Sequence, residues 1–403
     1  MIKPVQFQSG ALADLRVLEL GTLLAGPFCG QLLGDMGAEV IKIEPPNQGD
    51  PMRVWGRQKH GDPSLWWPVV ARNKKSITLD LRQSAGQQVL KELVGKADFL
   101  LENFRPGTME KWGLDYPTLA AINPRLIMIR VSGYGQTGPY AHRAGFGAIG
   151  EAMGGLRYVV GDPASPPSRV GISIGDSLAA TFACVGALSA LHYRERTGRG
   201  QVVDSAIYEA VLQMMESLIT EYDQAGFIRE RTGAILPNVA PSNVYPTTEG
   251  WVLIAANQDT VFRRLCEAMG DPSLAQRAEY VDHQARGAHQ QELDELIGRW
   301  TATLSTSAVL DLMDRHGVPA GLIYRPPDML TDPQFAAREA IVTVKHPQFG
   351  DLRMQNVAPK LSETPGAIRS PSPELGQHND AIYAGLMGYP AERIAELRRN
   401  KVI

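Results

Sequence analysis

The sequence predicts an α/β protein whose larger part is a doubly wound parallel sheet. Short apolar strands alternate with helical segments from residue 16 to residue 131, and proline and glycine punctuate the first helix at its two ends. Arg16-Val17-Leu18-Glu19-Leu20 reads as the first strand, Gly21 to Gly26 as a turn, and Pro27 to Met36 as a helix with proline at its first position, where no N–H is needed. Gly37 closes that helix and Glu39 to Glu44 returns as a second strand, giving a βαβ unit with parallel pairing and a right-handed crossover. The alternation continues with a strand at 76–81, a helix at 86–94, a strand at 99–101, a short helix at 118–122 and a strand at 126–131. Sites in such sheets lie beyond the carboxyl ends of the strands, here 21–27, 45–53, 102–107 and 132–139.

A long helix rich in small residues follows at 178–193, and Thr197-Gly198-Arg199-Gly200 turns into Gln201–Asp204 and a helix over 206–218. From 221 to 245 the character is loop-like, with Gly226, Gly233, Pro237 and Pro241. A strand at 251–255 and helices at 260–269, 290–302 and 307–316 then mark a smaller domain, and after a Pro- and Ser-rich stretch at 363–373 a last helix is expected at 390–399. The expected domains are 1–224, 225–330 and a C-terminal segment, 331–403, that returns to the large domain.

With 44% hydrophobic and 21% charged residues, the 403-residue chain has the composition of an ordinary globular protein. A formal charge of -3 and basic residues spread along the chain argue against nucleic acid as a partner. Cys29, Cys184 and Cys266 are too few and too widely spaced for a disulfide framework or a zinc site. The N-terminal residues lack a continuous apolar stretch and no run of about eighteen apolar residues is apparent, so a soluble, reduced, cytoplasmic protein without membrane partners is expected.

Gly171-Ile172-Ser173-Ile174-Gly175-Asp176-Ser177 puts a carboxylate at the mouth of the long helix. Two readings fit it: the ordinary response of an acid to a helix dipole, or a carboxylate that the dipole keeps ionised for attack on an activated acyl group. The turn Gly21-Thr22-Leu23-Leu24-Ala25-Gly26 lacks the second glycine of a dinucleotide fingerprint, because Leu23 occupies that place; simple strand–helix packing and admission of a phosphate or pantetheine arm both fit it. Asn73-Lys74-Lys75-Ser76 and Glu102-Asn103-Phe104-Arg105-Pro106-Gly107 set cations and amides near sheet ends, where Phe104 can stack on a base while Lys and Arg meet phosphates, or simply face solvent. No histidine pair has metal spacing and no Gly-x-Ser-x-Gly elbow is present.

Several of these segments together resemble the class III coenzyme A transferases of the CaiB/BaiF type, the family of formyl-CoA transferase and carnitine CoA-transferase: Val17–Gly21 through Ala25–Cys29, Gly37–Glu44, Glu102–Gly107, Gly133-Tyr134-Gly135-Gln136-Thr137-Gly138-Pro139 and Thr197–Gln201. The resemblance runs from about residue 12 to 385 and implies a Rossmann-like large domain, a smaller α+β domain and two chains interlocked as a homodimer. It makes Asp176 the catalytic nucleophile. It places coenzyme A on Leu24, Ala25, the Val70 to Asn73 stretch with Arg72, Asn103, Phe104, Arg105, Lys111, and Ala144, Gly145, Phe146 and Gly147. Arg53, at the end of the 45–53 segment, and Lys75 complete the expected CoA-binding set.

The activity implied is transfer of CoA from an acyl-CoA, succinyl-CoA among the candidates, to a small carboxylic acid. It would pass through an aspartyl anhydride and an aspartyl-CoA thioester, with CoA as substrate and no resident metal or redox cofactor. Backbone N–H groups near Gly135–Gly138 or at the start of the Asp176 helix are candidate oxyanion donors, and Arg143 and Arg231 candidate partners for a distal carboxylate. Leu24 stands where formyl-CoA transferase carries glutamine, Pro45 where it carries arginine, and 221–258 lacks its glycine-rich lid, so formate–oxalate exchange is not expected. Phe146 stands where the racemase branch has its proton-transfer histidine, which favours transfer over racemisation. An acyl-CoA racemase or isomerase of the same family and a non-catalytic CoA-binding protein are the alternatives.

Overall fold

The computed structural model describes residues 10–56 and 64–403; the N-terminal segment discussed above lies outside them up to residue 9. The chain divides into two compact units, one of Met1–Arg157, Val170–Ala225 and Ala336–Ile403, the other of Tyr158–Arg169 and Gly226–Phe335. Tyr158–Arg169, which the sequence places inside residues 1–224, belongs to the second unit. The Tyr158 hydroxyl donates to Glu230 at 2.7 Å and the Gly233 N–H donates to the Gly161 carbonyl at 3.0 Å.

In the first unit six parallel strands, β1 (Arg16–Glu19), β2 (Glu39–Glu44), β3 (Lys74–Thr78), β4 (Phe99–Glu102), β5 (Ile127–Ser132) and β6 (Val202–Ala206), lie in the order β3-β2-β1-β4-β5-β6. The order reverses between β1 and β4, the place where open α/β sheets bind their ligands. Alternate residues feed two apolar cores: Leu18, Ile41, Leu100 and Met128 on one face, Val17, Val40, Leu101 and Ile129 on the other. Both faces being buried, β4 and β5 read as nearly continuous apolar runs. Helices Ser84–Val94 and Ala391–Arg399 cover the first face through Val89, Leu90, Ile394 and Leu397.

Helices Ala25–Asp35 and Ile174–Thr197 cover the second face. Ile174–Thr197 meets it through Ala179, Ala180, Ala183, Ala187 and Ala190, all fully buried or nearly so. The Ser205 hydroxyl donates to the Ala179 carbonyl at 2.9 Å, tying this helix to β6, and Gly198 ends it in the left-handed conformation. Contrary to the expectation that no such run exists, this helix is long and apolar enough by length and composition to cross a bilayer. Here one stripe of it is spent on the sheet.

Strand β3 begins two residues earlier than expected, at Lys74, because the Lys74 ammonium is fully buried against Glu19 at 2.7 Å and donates to the Pro27 carbonyl at 2.7 Å. The free edge of β3 is covered by the C-terminal segment. The His378 N–H donates to the Ser76 carbonyl at 2.9 Å, the Ser76 N–H to His378 Nδ1 at 3.1 Å, the Thr78 N–H to Asn379 Oδ1 at 2.9 Å and the Tyr383 hydroxyl to the Thr78 carbonyl at 2.7 Å. Ahead of it an antiparallel hairpin, Ile341–His346 with Gly350–Gln355, was not anticipated, since its positive-φ glycine, Gly350, opens the returning strand instead of sitting in a two-residue Asn-Gly or Asp-Gly turn. The helix expected over 206–218 is two, Ile207–Leu212 and Leu218–Ala225.

The second unit is a three-stranded antiparallel sheet of Ser242–Pro246, Trp251–Ala255 and Ala320–Leu322, packed on helices Asp259–Ala268, Gln290–Thr301 and Thr306–His316 around Phe262, Leu265, Leu293, Ile297 and Val309.

Burial and the nearby Lys75 charge hold the His378 imidazole below its ordinary range, and burial does the same to His346. Neutral forms are thus favoured by folding, and their contribution is complete above the ordinary histidine value of 6.5 and lost as pH falls through the lower folded-state values. Unfolding midpoints in urea are expected to drop as the pH is lowered below that value, and His378→Gln is expected to flatten part of the slope.

Candidate active site

Two groups of residues gather beyond the carboxyl edge of the parallel sheet. The first is built on the β1 turn. The Thr22 N–H donates to Asn103 Oδ1 at 2.8 Å and the Asn103 amide donates back to the Thr22 carbonyl at 2.9 Å, so Asn103, directly after β4, acts as a template for the turn. A Cβ on Gly21 or Gly26 would lie within 3.2 Å of atoms of the other glycine and of Asn103, so the close approach requires their absence. Leu24 and the buried Ala25 start the helix, and Leu23 and Leu24 pack on Met52, Trp67 and Ala71.

Above this turn lies a cleft of about 160 Å³ walled by Leu20, Ile43 and Leu79, closed by Phe104 edge-on to Trp112 (5.3 Å between centroids), with Thr22, Gln48, Asp80 and Arg82 as polar contributors, Arg82 being paired with Asp80 at 2.8 Å. An apolar slot with an aromatic wall fits a purine ring, and the guanidinium that would meet a phosphate beside it is shared with Asp80. A larger groove of about 830 Å³ belongs to the second unit, lined by Thr232, Tyr245, Asp294 and Arg299. The smaller cleft is the better candidate because it occupies the strand-order reversal.

The second group surrounds Asp176, in the first turn of the Ile174–Thr197 helix. The short Gly147–Met153 helix is laid against that turn so closely that a Cβ on Gly147 would stand 2.4 Å from Asp176 Oδ2. Gly150 and Gly154 continue the same face, where a Cβ would meet Ile207 at 2.4 Å and Val211 at 2.6 Å. Glycines at 147, 150 and 154 thus let the helices that carry Asp176 and Ile207 pack closely on the Gly147–Met153 helix, with Gly147 against the carboxylate. That spacing is the signal the sequence reading passed over. Buried Glu151 points one carboxylate oxygen at the Gly175 N–H, 3.5 Å away, and pairs the other with Arg157 at 3.0 Å, steadying the helix start.

The remaining expected residues divide. Ala144 and Phe146 are exposed on the loop leading to Gly147, with Gly145 beneath the Tyr134 ring, while Arg105 and Lys111 are exposed just after β4. Five others have partners within the fold. Arg53 is bound to Glu44 at 2.7 Å and stacked 3.9 Å over Trp67; Val70 is buried; Arg72 is buried on Asp35 at 2.6 Å; and Asn73 bonds Asp35 and Ala367. Lys75 pairs with Glu39, the first residue of β2, away from the carboxyl edge. The loop that does reach the cleft is Leu79–Arg82, hidden from the sequence reading because β3 was expected to run to residue 81, three residues past its end at Thr78.

The N–H groups of Gly135 and Gln136 are taken by Ser132 Oγ (3.0 Å) and Asp204 Oδ2 (2.9 Å), which removes them as oxyanion donors. Arg143 stacks 3.8 Å over Tyr140, and Arg231, in the second unit, donates to the Tyr158 carbonyl at 3.1 Å.

A carboxylate set close against Gly147, and a cleft at the carboxyl ends of the first strands, are joined by a sequence match: the profile of CoA-transferase family III fits residues 12–379. The chain belongs to this family. It is 60% identical over 393 residues, 97% of this chain and 98% of the relative, to the succinyl-CoA–D-citramalate CoA-transferase of Chloroflexus aurantiacus. It is 42% identical, over 97% of this chain and 98% of the relative, to the succinyl-CoA–L-malate CoA-transferase beta subunit of the same organism. The crystal structure of a CaiB/BaiF family protein from Brucella suis, 34% identical, superposes with a TM-score of 0.84 over 94% of this chain and all of that one. The family III chain is therefore an enzyme that moves CoA from an acyl-CoA to a carboxylic acid, and its parallel-sheet unit is the family's fold.

If the Gly147 contact holds the nucleophile in place, Gly147→Ala will displace it; with misplacement by about 1 Å costing on the order of 10²-fold, kcat is expected to fall about that much while circular dichroism stays unchanged.

Proposed function

We propose that this enzyme takes CoA from succinyl-CoA and delivers it to a branched C5 hydroxy-dicarboxylate such as D-citramalate, with Asp176 as nucleophile. The 60% identity to a transferase of that name, across nearly both full lengths, carries the choice of substrates; the seat of Asp176 against Gly147 supports the choice of nucleophile.

The Asp176 carboxylate attacks the thioester carbonyl of succinyl-CoA, the C–S bond breaks, and a mixed succinyl–aspartyl anhydride forms with CoA thiolate released. The thiolate then attacks the aspartyl carbonyl, freeing succinate and leaving an aspartyl-CoA thioester. The acceptor carboxylate attacks that thioester to give a second anhydride, and the thiolate takes the acceptor's acyl group, restoring Asp176. A carboxylate is a weak nucleophile, so placement supplies the rate. The cleft at Phe104, Trp112 and Arg82 would hold the nucleotide end of CoA throughout, with Thr22 beside it.

Mass spectrometry after mixing with succinyl-CoA is expected to show a CoA adduct at Asp176 that hydroxylamine converts to a hydroxamate, and Asp176→Ala to lose exchange by about 10³-fold or more. Absence of any adduct, or full-speed exchange by Asp176→Asn, would dismiss the nucleophile. D-citramalate outperforming formate and oxalate as acceptor checks the substrate choice.

The enzyme is further proposed to act as a homodimer, interlocked as the family resemblance implies. The face of the Ile174–Thr197 helix opposite its alanine stripe carries Phe182, Val185, Leu188 and Tyr193 exposed in the single chain, apolar area that a monomer seldom leaves bare. Light scattering behind size exclusion is expected to give twice the chain mass; a monomer at micromolar concentration would contradict it.

A further inference from the structure

Leu23 adopts φ +63°, a left-handed conformation that side-chain-bearing residues take up rarely. What holds it there is buried. Asp50, 1% exposed, accepts the Leu23 N–H at 3.0 Å and the Met52 N–H at 2.8 Å on one carboxylate oxygen, while the other pairs with the Lys42 ammonium at 2.8 Å. Lys42 in turn donates to the Gly21 carbonyl at 2.8 Å. The Lys42–Asp50 pair therefore bridges the two ends of the Gly21–Leu23 segment, and the residue between them, Thr22, lines the cleft. Despite burial, the Lys42 charge keeps the Asp50 carboxyl below its usual range, so the clamp stays ionised.

We propose that Asp50 is a positioning residue for coenzyme A: with Lys42 it clamps the turn, keeps Leu23 left-handed and so fixes Thr22 in the wall that receives the nucleotide. The inference rests on reading that cleft as the CoA site. Asp50 touches no reacting atom, so its loss weakens the grip on acyl-CoA and leaves the chemical steps at Asp176 alone.

The test is steady-state kinetics with succinyl-CoA on the full chain. Asp50→Asn is expected to raise KM for succinyl-CoA about tenfold with kcat changed less than about threefold. Adding Leu23→Gly to that variant is expected to restore most of the KM, because glycine enters the left-handed region without a clamp, whereas a merely structural role would not be rescued at position 23. Leu23→Val leaves the buried pair intact and disfavours the conformation directly, so it is expected to raise KM by itself even if Asp50→Asn folds poorly. KM unmoved in Asp50→Asn or Leu23→Val, or no rescue by Leu23→Gly, overturns the proposal. Phe104→Ala and Arg82→Ala separate the two readings: if they raise KM while the turn variants do not, only the clamp is refuted, and if they leave KM alone the cleft assignment falls and takes the clamp with it.

Discussion

The larger unit depends on a cluster of charges buried where its first three strands meet. Lys42, Lys74 and Arg53 face Glu19, Glu44 and Asp50, three cations against three anions, through pairs at 2.7 to 3.0 Å. Each charge alone would be costly to bury; removing one partner of such a pair leaves its neighbour uncompensated at about 3–5 kcal/mol. Burial works against the charge of Lys42, yet Asp50 and Glu19 outweigh it and hold the ammonium well above its ordinary range. Lys74 is pushed the other way by its burial, with Lys42's charge adding to the effect. Satisfying all six at once fixes the register of β1, β2 and β3 and shapes the loop that follows β1.

Around Asp176 the organising device is absence of side chains. Carboxylate nucleophiles gain little from intrinsic reactivity and much from being held still. Gly147, Gly150 and Gly154 allow backbone to pack where side chains would collide, so one helix face becomes a rigid backing for the carboxylate and for Ile207 at the carboxyl end of β6.

Much of this was legible from residues alone. Alternating strands and helices from Arg16 to Val131, the small-residue helix and the carboxylate at its mouth follow from local periodicity, and the family resemblance rests on motifs in fixed order. What escaped is non-local. Lys74 looks like a loop cation until Glu19, 55 positions earlier, is placed beside it, and with Lys74 misread, β3 slides toward Leu81 and Leu79–Leu81 of the cleft wall vanish into a strand. Nor does pattern reveal that Asp35 binds both Arg72 and Asn73, or that Asn73 also reaches the C-terminal segment at Ala367. Compensation between distant charges has no period for a pattern to reveal.

The segment that seals β3 carries a consequence for how the chain assembles. Asn379 and Tyr383 meet Thr78 across 301 and 305 positions of sequence, and all of Gly226–Phe335 lies inside that interval. Closing so long a loop is entropically the last step to be rewarded. The second unit, whose own contacts are more local, has its whole sequence available before the rim of the parallel sheet can be sealed, so in biosynthesis the smaller body is free to mature while the larger one still waits with an open flank.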